Sequence, residues 1–375
     1  MRILELTHYT AGSCGVGKRV LIESELLSKR GHTVKIFSSN KIKGSENTCK
    51  NTEKIGNVQI NRFPAIKFGG EGFLRWNFES EAIKFDPEII IAHSYRHIHT
   101  IKALNLSRKL NIPCLLVTHA PFERENTRTL SQNIIVWIYD LLIGRRTIKK
   151  FDKVLFIAPW EIDSLLKLGV HKEKIFYSPN GIKDEFFKNR KRNDSNSITY
   201  TGRIASVKNL EVLIKSMKMV DKKVTLLVRG PAEKNYLKRL FELVQKYNLE
   251  NRIKIVNKEY VLSEQLKILS NTKIFVLPSK SEGMPQSLIE AMAMGKIVLG
   301  SDIKSIGSII QDGKNCFLFK ENDEMDLSNK INNIFSLNKY QIERIEKEAI
   351  DSVKRFKWSL IIGDLDKLIR QLKND

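Results

Sequence analysis

The sequence predicts an α/β protein made of two Rossmann-like β/α/β domains and a last, C-terminal helix. Short runs of Ile, Val and Leu alternate with helical segments along both halves of the chain, a pattern typical of parallel sheets covered by helices. The length of 375 residues allows two domains, each with its own core. Because the charged, apolar-poor segment 188–197 is typical of a linker, we expect domains at 1–185 and 186–355 and the last helix at 356–375.

The composition excludes several classes of protein. With 42% hydrophobic and 28% charged residues it is that of a globular chain, and no apolar run is long enough to span a membrane. The first residues, Met1–Leu6, predict a strand and not a secretory signal, so we expect a cytoplasmic protein. The four cysteines are scattered, without metal-ligand or redox spacing, which predicts reduced thiols.

The formal net charge of +22 leaves several interpretations open. It suits nucleic-acid binding, attraction to anionic lipid, steering of anionic substrates, or only a Lys-rich genome. The chain shows no zinc spacing, no RNP-type aromatic motif and no heptads behind a basic region. We therefore expect no nucleic-acid partner, and a non-enzymatic protein that binds nucleic acid or anionic lipid remains an alternative.

The first unit of the chain is a strand, a glycine-rich turn, a helix ending at Gly31 and a second strand. The turn from Gly12 to Lys18 nearly matches the phosphate loop of nucleotide hydrolases. Arg19 stands where that motif needs a magnesium-binding hydroxyl, and the later strand 89–92 is followed by His93 instead of an acidic residue. Both departures argue against a nucleotide hydrolase.

His93 and His119 each come directly after an apolar strand. In a parallel α/β sheet, ligands bind at the carboxyl ends of the strands. Either histidine is therefore a candidate functional residue, with a hydrogen-bonded loop histidine as the alternative.

An apolar segment, Ile134–Ile143, precedes a basic cluster of Arg145, Arg146, Lys149 and Lys150. A helix of this kind lies on an anionic membrane surface when its apolar side is exposed. A core helix with a solvated end has the same pattern. The sequence leaves both open for residues 134–150.

The second half opens with a strand, followed by Gly202-Arg203 and Lys208-Asn209 before a helix. Arg203 offers a planar fork of donors and Lys208 a compact charge, so the pair suits a departing diphosphate. The alternative is two solvated cations beside a helix start.

The segment 278–295 is the most informative stretch. The strand Ile274–Leu277 leads into a polar loop and then a helix that Gly295 ends. The start of such a helix is an anion site. Glu282 is expected in the loop and Glu290 about one turn inside the helix.

Ser-Glu-Gly at 281–283, Glu290 and the following Ala-Met-Ala-x-Gly-Lys resemble the donor-site signature of retaining family 4 glycosyltransferases, which have the GT-B fold. Gly202-Arg203 with Lys208-Asn209, Thr118-His119 and Pro179-Asn180-Gly181 also resemble motifs of that family. The resemblance implies two domains facing a cleft, with the last helix crossing back to the first domain. One family element, Gly-Gly-x-Pro-Glu, is absent, and 302–307 stands in its place.

The resemblance also assigns roles. It implies that Glu282 contacts the hydroxyls of the donor sugar and Glu290 the ribose, and that His119 positions the acceptor hydroxyl or stabilises charge. The remaining substrate-binding candidates lie in the first glycine-rich turn and in the donor loop: Gly15, Gly17, Gly283, Met284 and Pro285. The catalytic candidates are His119, Arg203, Lys208 and Glu282.

The implied reaction is hexosyl transfer from a UDP- or GDP-linked sugar to a hydroxyl of a glycan or a lipid-linked acceptor, with retention of configuration. Arg203, Lys208 and the helix start supply fixed electrostatic stabilisation, so no metal and no cofactor are expected. Asp364 and Asp366 lie two positions apart in the last helix. Residues two apart on a helix point to different sides, so the two carboxylates are not expected to bind one metal ion, and we expect them on the solvated surface. A peripheral position on the inner face of the cell membrane is a further expectation. A nucleotide-sugar hydrolase or epimerase is the alternative enzyme.

Overall fold

The computed structural model of the protein describes residues 1–12, 14–68, 71–122, 129–188 and 195–374. Most of the predicted linker, 189–194, lies outside these described residues.

The chain divides into two compact units. Unit 1 comprises Met1–Asn180 and Ser359–Asp375, and unit 2 comprises Gly181–Trp358. These limits differ by a few residues from the expected ones, because Ile182 already pairs with the end of unit 2. Its N–H donates to Phe356 O at 2.8 Å, and Trp358 N–H donates to Ile182 O at 3.3 Å.

Unit 1 contains one large sheet and a small hairpin. Its strands are β1 (Arg2–Leu6), β2 (Thr33–Ser39), β3 (Thr52–Ile55), β4 (Val58–Phe63), β5 (Ala65–Lys67), β6 (Leu74–Trp76), β7 (Ile89–His93), β8 (Cys114–Val117), β9 (Lys153–Phe156) and β10 (Ile175–Tyr177). The large sheet has the order β10-β9-β8-β7-β1-β2-β4-β3 and is parallel except for the β3–β4 pair. Every residue of β7 and β8 is buried, as expected of parallel strands covered on both faces.

The α-helices of unit 1 that precede its last helix alternate along the chain with its strands. They are α1 (Gly15–Lys29), α2 (Glu79–Phe85), α3 (Ile98–Leu110), α4 (Leu130–Tyr139), α5 (Arg145–Ile148) and α6 (Ile162–Lys167). A π-helical turn, Asp140–Gly144, joins α4 to α5. The helix α1 ends before Gly31, whose φ of +88° is the left-handed conformation that favours glycine.

Unit 2 is a second parallel α/β layer structure. Its strands are β11 (Ser197–Thr201), β12 (Thr225–Arg229), β13 (Ile253–Val256), β14 (Ile274–Leu277), β15 (Ile297–Ser301) and β16 (Phe317–Phe319). They form a sheet in the order β13-β12-β11-β14-β15-β16. Its helices are α7 (Glu185–Lys188), α8 (Leu210–Ser216), α9 (Lys234–Lys246), α10 (Leu262–Ser270), α11 (Gln286–Ala293), α12 (Lys304–Gly307), α13 (Glu324–Ser336) and α14 (Lys339–Val353). Because β11 and β14 are neighbours, the loops after them meet at one edge of the sheet.

The last helix, α15 (Trp358–Asn374), belongs to unit 1 from Ser359 onwards. Asp366 connects it to the turn before β2, since its Oδ1 lies 2.8 Å from His32 Nε2. Arg370, on α15 itself, approaches the same oxygen at 2.8 Å. The expectation of a solvated surface therefore holds for Asp364, which is 67% exposed, and is wrong for Asp366, which is 8% exposed. The two side chains do point to different sides, and one of these sides is packed against unit 1.

Candidate active site

The donor-loop prediction matches the local structure of unit 2. The strand β14 leads into a polar loop and then α11, and Gly295 follows the helix with a φ of +68°. Pro285 is buried, while Gly283 and Met284 are partly buried, and Met284 packs against the core of unit 2. The loop thus rests on the core and holds Glu282 at the carboxyl end of β14.

Glu282 and Lys208 are in direct contact. Lys208 Nζ donates to Glu282 Oε1 at 2.6 Å, and Ser279 Oγ donates to the same oxygen at 2.6 Å. The side chain of Lys208 is 18% exposed and that of Glu282 is 10% exposed. Water therefore screens the attraction between their charges less than it does in a surface ion pair. The resemblance assigns the two residues separate roles, whereas in the structure their side chains form one ion pair.

Arg203 lies on the same loop as Lys208 but points to a more open position. Its side chain is 55% exposed, and its Nη1 lies 3.3 Å from Glu233 Oε1. An exposed pair of this kind contributes little to stability. The guanidinium of Arg203 is therefore available to an anionic ligand.

The buried hydroxyl of Tyr200 is affected by the charges of both Arg203 and Glu282. This hydroxyl donates to Arg203 O at 2.7 Å. Burial raises the pKa of this phenol well above its ordinary value, the charge of Glu282 raises it further and that of Arg203 lowers it. Both charges therefore act on one buried hydroxyl at the end of β11.

Glu290, on α11, contacts residues that sequence reasoning missed. Its Oε2 accepts a hydrogen bond from Gln265 Nε2 at 2.5 Å. Burial raises the pKa of Tyr260 to about 12, and the negative charge of Glu290 adds to this effect. Tyr260 lies in the polar segment after β13, at the same sheet edge as the donor loop. This position was the signal in the sequence that could have identified Tyr260 as a site residue.

The ends of β11 and β12 approach each other closely. A Cβ built on Gly230 would lie 1.9 Å from Gly202 O, and the two glycines have φ values of +154° and +151°. A side chain is excluded at Gly230 by this contact. The backbones of the two glycines therefore approach each other with no room for a side chain at Gly230.

In unit 1, Gly15 and Gly17 differ. A Cβ on Gly17 would lie 2.5 Å from Tyr9 O, so this glycine is required by the packing of α1 on the preceding turn. A Cβ on Gly15 would meet nothing within 4 Å, and the residue is exposed. Only Gly15 thus leaves open space for the predicted approach of a phosphate.

His119 follows β8 in a strained conformation. His119 and Ala120 have φ values of +61° and +51°, which non-glycine residues seldom adopt and which often occur at functional sites. The preceding Thr118 donates through Oγ1 to Glu161 Oε2 at 2.6 Å, and the same carboxylate accepts the N–H of Ala158 at 3.1 Å. Glu161, which sequence reasoning missed, therefore anchors the Thr-His motif.

Histidines are concentrated around this strand end. Of the seven in the chain, five influence one another's charge: His8, His93, His97, His99 and His119. Burial is the first cause that lowers the pKa of His93 to about 4 and that of His99 to about 3. Burial, followed by the neighbouring His93, also holds the pKa of His119 well below its ordinary value. His119 is therefore neutral at pH 7.

A buried cluster of ionisable side chains lies next to His119. Glu5, Glu23 and His93 bring three possible ligand atoms within 4.8 Å of one another. However, Arg19 Nε donates to Glu23 Oε2 at 3.1 Å, and this guanidinium, 2% exposed, would repel a bound cation. We describe the group as a hydrogen-bonded cluster, and metal independence stays a prediction.

The helix α4 and the turn after it carry an exposed apolar surface, here called the α4 surface. Its eight large apolar residues are 41% to 81% exposed: Leu130, Ile134, Ile135, Trp137, Ile138, Leu141, Leu142 and Ile143. No residue of α4 is buried, so a core helix is excluded as the explanation of this segment. Among the described residues no helix has both the length and the hydrophobicity to cross a bilayer.

The α4 surface is held by a partly buried polar cluster. Asp140 Oδ1 accepts from Tyr95 OH at 2.9 Å and from Arg96 Nε at 2.9 Å, and Arg96 Nη2 lies 2.5 Å from Asp140 Oδ2. A Cβ on Gly144 would meet Tyr95 OH at 2.1 Å. The apolar side chains therefore project from a fixed support.

Solved structures similar to this chain share its fold over nearly its full length. Sucrose-phosphate synthase from Thermosynechococcus elongatus superposes with a TM-score of 0.80 at 18% identity, covering 99% of this chain and 98% of that one. HepE from Anabaena, solved with UDP and glucose, superposes with a TM-score of 0.75 at 16% identity, covering 99% and 100%. The expected fold is confirmed, and the protein is a GT-B glycosyltransferase.

Family models match both halves. Residues 14–186 match Glycosyltransferase Family 4, and residues 181–351 match Glycosyl transferases group 1. An uncharacterized glycosyltransferase of Methanocaldococcus jannaschii is 25% identical over 85% of this chain and 86% of its own length. The N,N'-diacetylbacillosaminyl-diphospho-undecaprenol α-1,3-N-acetylgalactosaminyltransferase of Campylobacter jejuni is 25% identical over 55% and 53%. The chain belongs to family 4 of the glycosyltransferases, which confirms the resemblance found in its motifs.

Proposed function

We propose that the enzyme transfers a sugar from a UDP- or GDP-linked donor to a hydroxyl of a glycan or lipid-linked acceptor, with retention of configuration and without a metal. The observation that carries this proposal is the contact between Lys208 and Glu282 at the edge of the second sheet. A cation beside a carboxylate suits a ligand that has a diphosphate at one end and sugar hydroxyls at the other. The UDP in the HepE structure supports a nucleotide donor.

The chemistry assigned to the site follows from its charges. Departure of the diphosphate leaves two negative charges near the bond that breaks, and Lys208 and the exposed Arg203 stabilise them without moving far. Glu282 accepts hydrogen bonds from the sugar hydroxyls, and Glu290 accepts them from the ribose. His119, neutral at pH 7, contacts the acceptor hydroxyl.

Thermal unfolding with UDP, GDP and ADP tests the donor assignment. A nucleotide that binds only the folded state at 100 times its dissociation constant stabilises it by about 2.7 kcal/mol, so we expect one of them to raise Tm by several degrees, equally with and without EDTA. Arg203→Ala reduces this shift. Arg344→Ala, which removes an exposed cation on α14, leaves it unchanged and serves as the control.

No shift with any nucleotide, or a full shift in Arg203→Ala, contradicts the donor site. Incubation with the matching nucleotide sugar then separates the enzyme classes. Release of free sugar without an acceptor would indicate a hydrolase, and the anomeric coupling constant of a transfer product, read by NMR, reports retention.

We further propose that the α4 surface and the basic residues after it bind the inner face of the cell membrane. Exposed apolar side chains enter the lipid boundary while Arg145, Arg146, Lys149 and Lys150, all exposed, meet anionic headgroups. The lipid-linked sugar in the name of the Campylobacter jejuni relative suits an acceptor at that surface.

Co-sedimentation with vesicles tests the membrane proposal. We expect the full chain to pellet with phosphatidylglycerol-containing vesicles and less with phosphatidylcholine alone. Replacing the four basic residues by Ser removes about 1 kcal/mol each and should abolish most pelleting. The control replaces four exposed lysines elsewhere, Lys29, Lys238, Lys339 and Lys367. Equal pelleting of the two variants would contradict the proposal.

A further inference from the structure

Side chains from β1, from β7 and from the loop after β8 form a hydrogen-bonded chain that ends at His119. Glu5 Oε2 lies 2.6 Å from His93 Nε2, and His93 Nδ1 lies 3.0 Å from His119 Nε2. The strand β7 pairs with β1 on one side and with β8 on the other. The parallel register thus brings residues far apart in sequence into one line.

The inner end of this chain is sealed from water. Glu5 and His93 are both 0% exposed, whereas His119 is partly exposed. Glu5 Oε1 has no hydrogen-bond partner among the side chains and backbone that the structure describes. A buried carboxylate with an unused oxygen is costly unless it has a function or holds a proton.

The charges around Glu5 determine its protonation. Arg19 and Glu23, both on α1, form an ion pair near Glu5, and their opposite charges largely cancel. His93 approaches Glu5 from β7. The neighbouring imidazoles of His8 and His119 are kept neutral by burial. Burial therefore raises the pKa of Glu5 to about 8, with only Arg19 opposing it.

We propose that Glu5 and His93 are positioning residues that set the tautomer of His119 and take up, through a proton relay, the proton released by the acceptor hydroxyl. This inference rests on the proposed function, in which His119 contacts that hydroxyl. In the ionised state, Glu5 accepts from His93 Nε2–H, and His93 Nδ1 accepts from His119 Nε2–H. His119 Nδ1 is then a proton acceptor.

The relay conserves atoms and charge. The acceptor O–H bond breaks, and its electron pair forms the bond to the anomeric carbon of the donor. The bond from that carbon to the diphosphate breaks, and its electrons leave with the diphosphate. The proton binds His119 Nδ1, while the Nε2 proton of His119 moves to His93 Nδ1 and that of His93 moves to Glu5. Both imidazoles end neutral and Glu5 ends protonated.

Histidine NMR of the full chain tests the relay without any substrate. As pH rises from 6 to 9, ionisation of Glu5 should switch His93 and His119 together from the Nδ1–H to the Nε2–H tautomer, with a midpoint near pH 8. Glu5→Gln, which cannot gain or lose this proton, should abolish the switch. A tautomer that is constant over this range in the wild type, or a switch that persists in Glu5→Gln, overturns the relay.

Kinetics give a second readout in the wild-type enzyme. Only the ionised form of Glu5 accepts the proton, so kcat/KM for the acceptor should rise tenfold per pH unit below about 8 and level off above it. Glu5→Gln and His93→Gln should lower kcat about 10²-fold or more and remove this pH dependence, while the Tm shift with nucleotide is unchanged.

His171→Gln, at a side chain that is 71% exposed, serves as the matched control and should keep the wild-type profile. A wild-type pH profile in Glu5→Gln overturns the proposal. Absence of transfer in the wild type with a normal tautomer switch would contradict the proposed function and not the relay.

Discussion

Replacing Lys208 by Ala is expected to lower kcat for sugar transfer about 10²- to 10³-fold. The ammonium lies 2.6 Å from Glu282 Oε1 in a largely buried position, so in the proposed reaction its charge is in place before the diphosphate departs. Fixed electrostatic groups of this kind contribute roughly 3–4 kcal/mol each to the stabilisation of a transition state. Single-turnover rates with a saturating donor measure this directly.

The control for this variant is Lys280→Ala. Lys280 is an exposed cation on the same loop as Glu282, so its loss changes the net charge equally without touching the pair. Removal of Lys208 also leaves Glu282 partly buried without its cation, and Tm should be compared with that of the double variant Lys208→Ala/Glu282→Gln. A kcat within threefold of the wild type in Lys208→Ala would contradict the assigned role.

Replacing Arg19 by Met is expected to destabilise the protein by about 3–5 kcal/mol, because it leaves the buried carboxylate of Glu23 without its cation. The guanidinium also donates from Nη2 to Ser178 Oγ at 2.7 Å, and from Nη1 to Ser178 O at 2.7 Å and Asn180 Oδ1 at 3.1 Å. Burial raises the pKa of Glu23, while Arg19 lowers it. Chemical denaturation followed by circular dichroism measures the loss.

Two further variants separate the causes of this loss. Lys18→Met, at the exposed neighbouring position on α1, should change stability by less than about 0.5 kcal/mol. The double variant Arg19→Met/Glu23→Gln should recover part of the stability, because no uncompensated charge remains. A double variant whose loss of stability equals the sum of the losses in Arg19→Met and Glu23→Gln would show that the bonds to Ser178 and Asn180, and not the charge of Glu23, dominate.

The sequence predicted most of the fold because alternating apolar strands and helices define parallel sheets locally. It also predicted the strand, the polar loop and the helix around Glu282, since these three elements are contiguous in the chain. It could not show that Lys208 contacts Glu282, which depends on β11 and β14 being neighbours. It treated Glu5 as part of an ordinary strand, because a carboxylate between Leu4 and Leu6 gives no local sign of its partners on β7 and β8.

The α4 segment shows a different limit. A helix that is apolar on most sides has the same pattern in a core and on a membrane surface, so periodicity could not distinguish them. Its exposure became clear only from the tertiary structure, in which Tyr95 and Arg96 hold the turn after α4 in place by donating hydrogen bonds to Asp140. Asp366 is a similar case, because its partner His32 lies more than three hundred positions away in the chain.

The contact between Gly202 and Gly230 constrains how this enzyme can diverge. With backbone touching backbone, neither position offers a side chain that mutation could tune for a different nucleobase. In the proposed donor site, selectivity for the nucleobase must therefore be encoded by surrounding side chains, such as those of Tyr260 and Gln265. Efforts to alter donor preference by laboratory evolution should randomise those positions and leave the glycines intact.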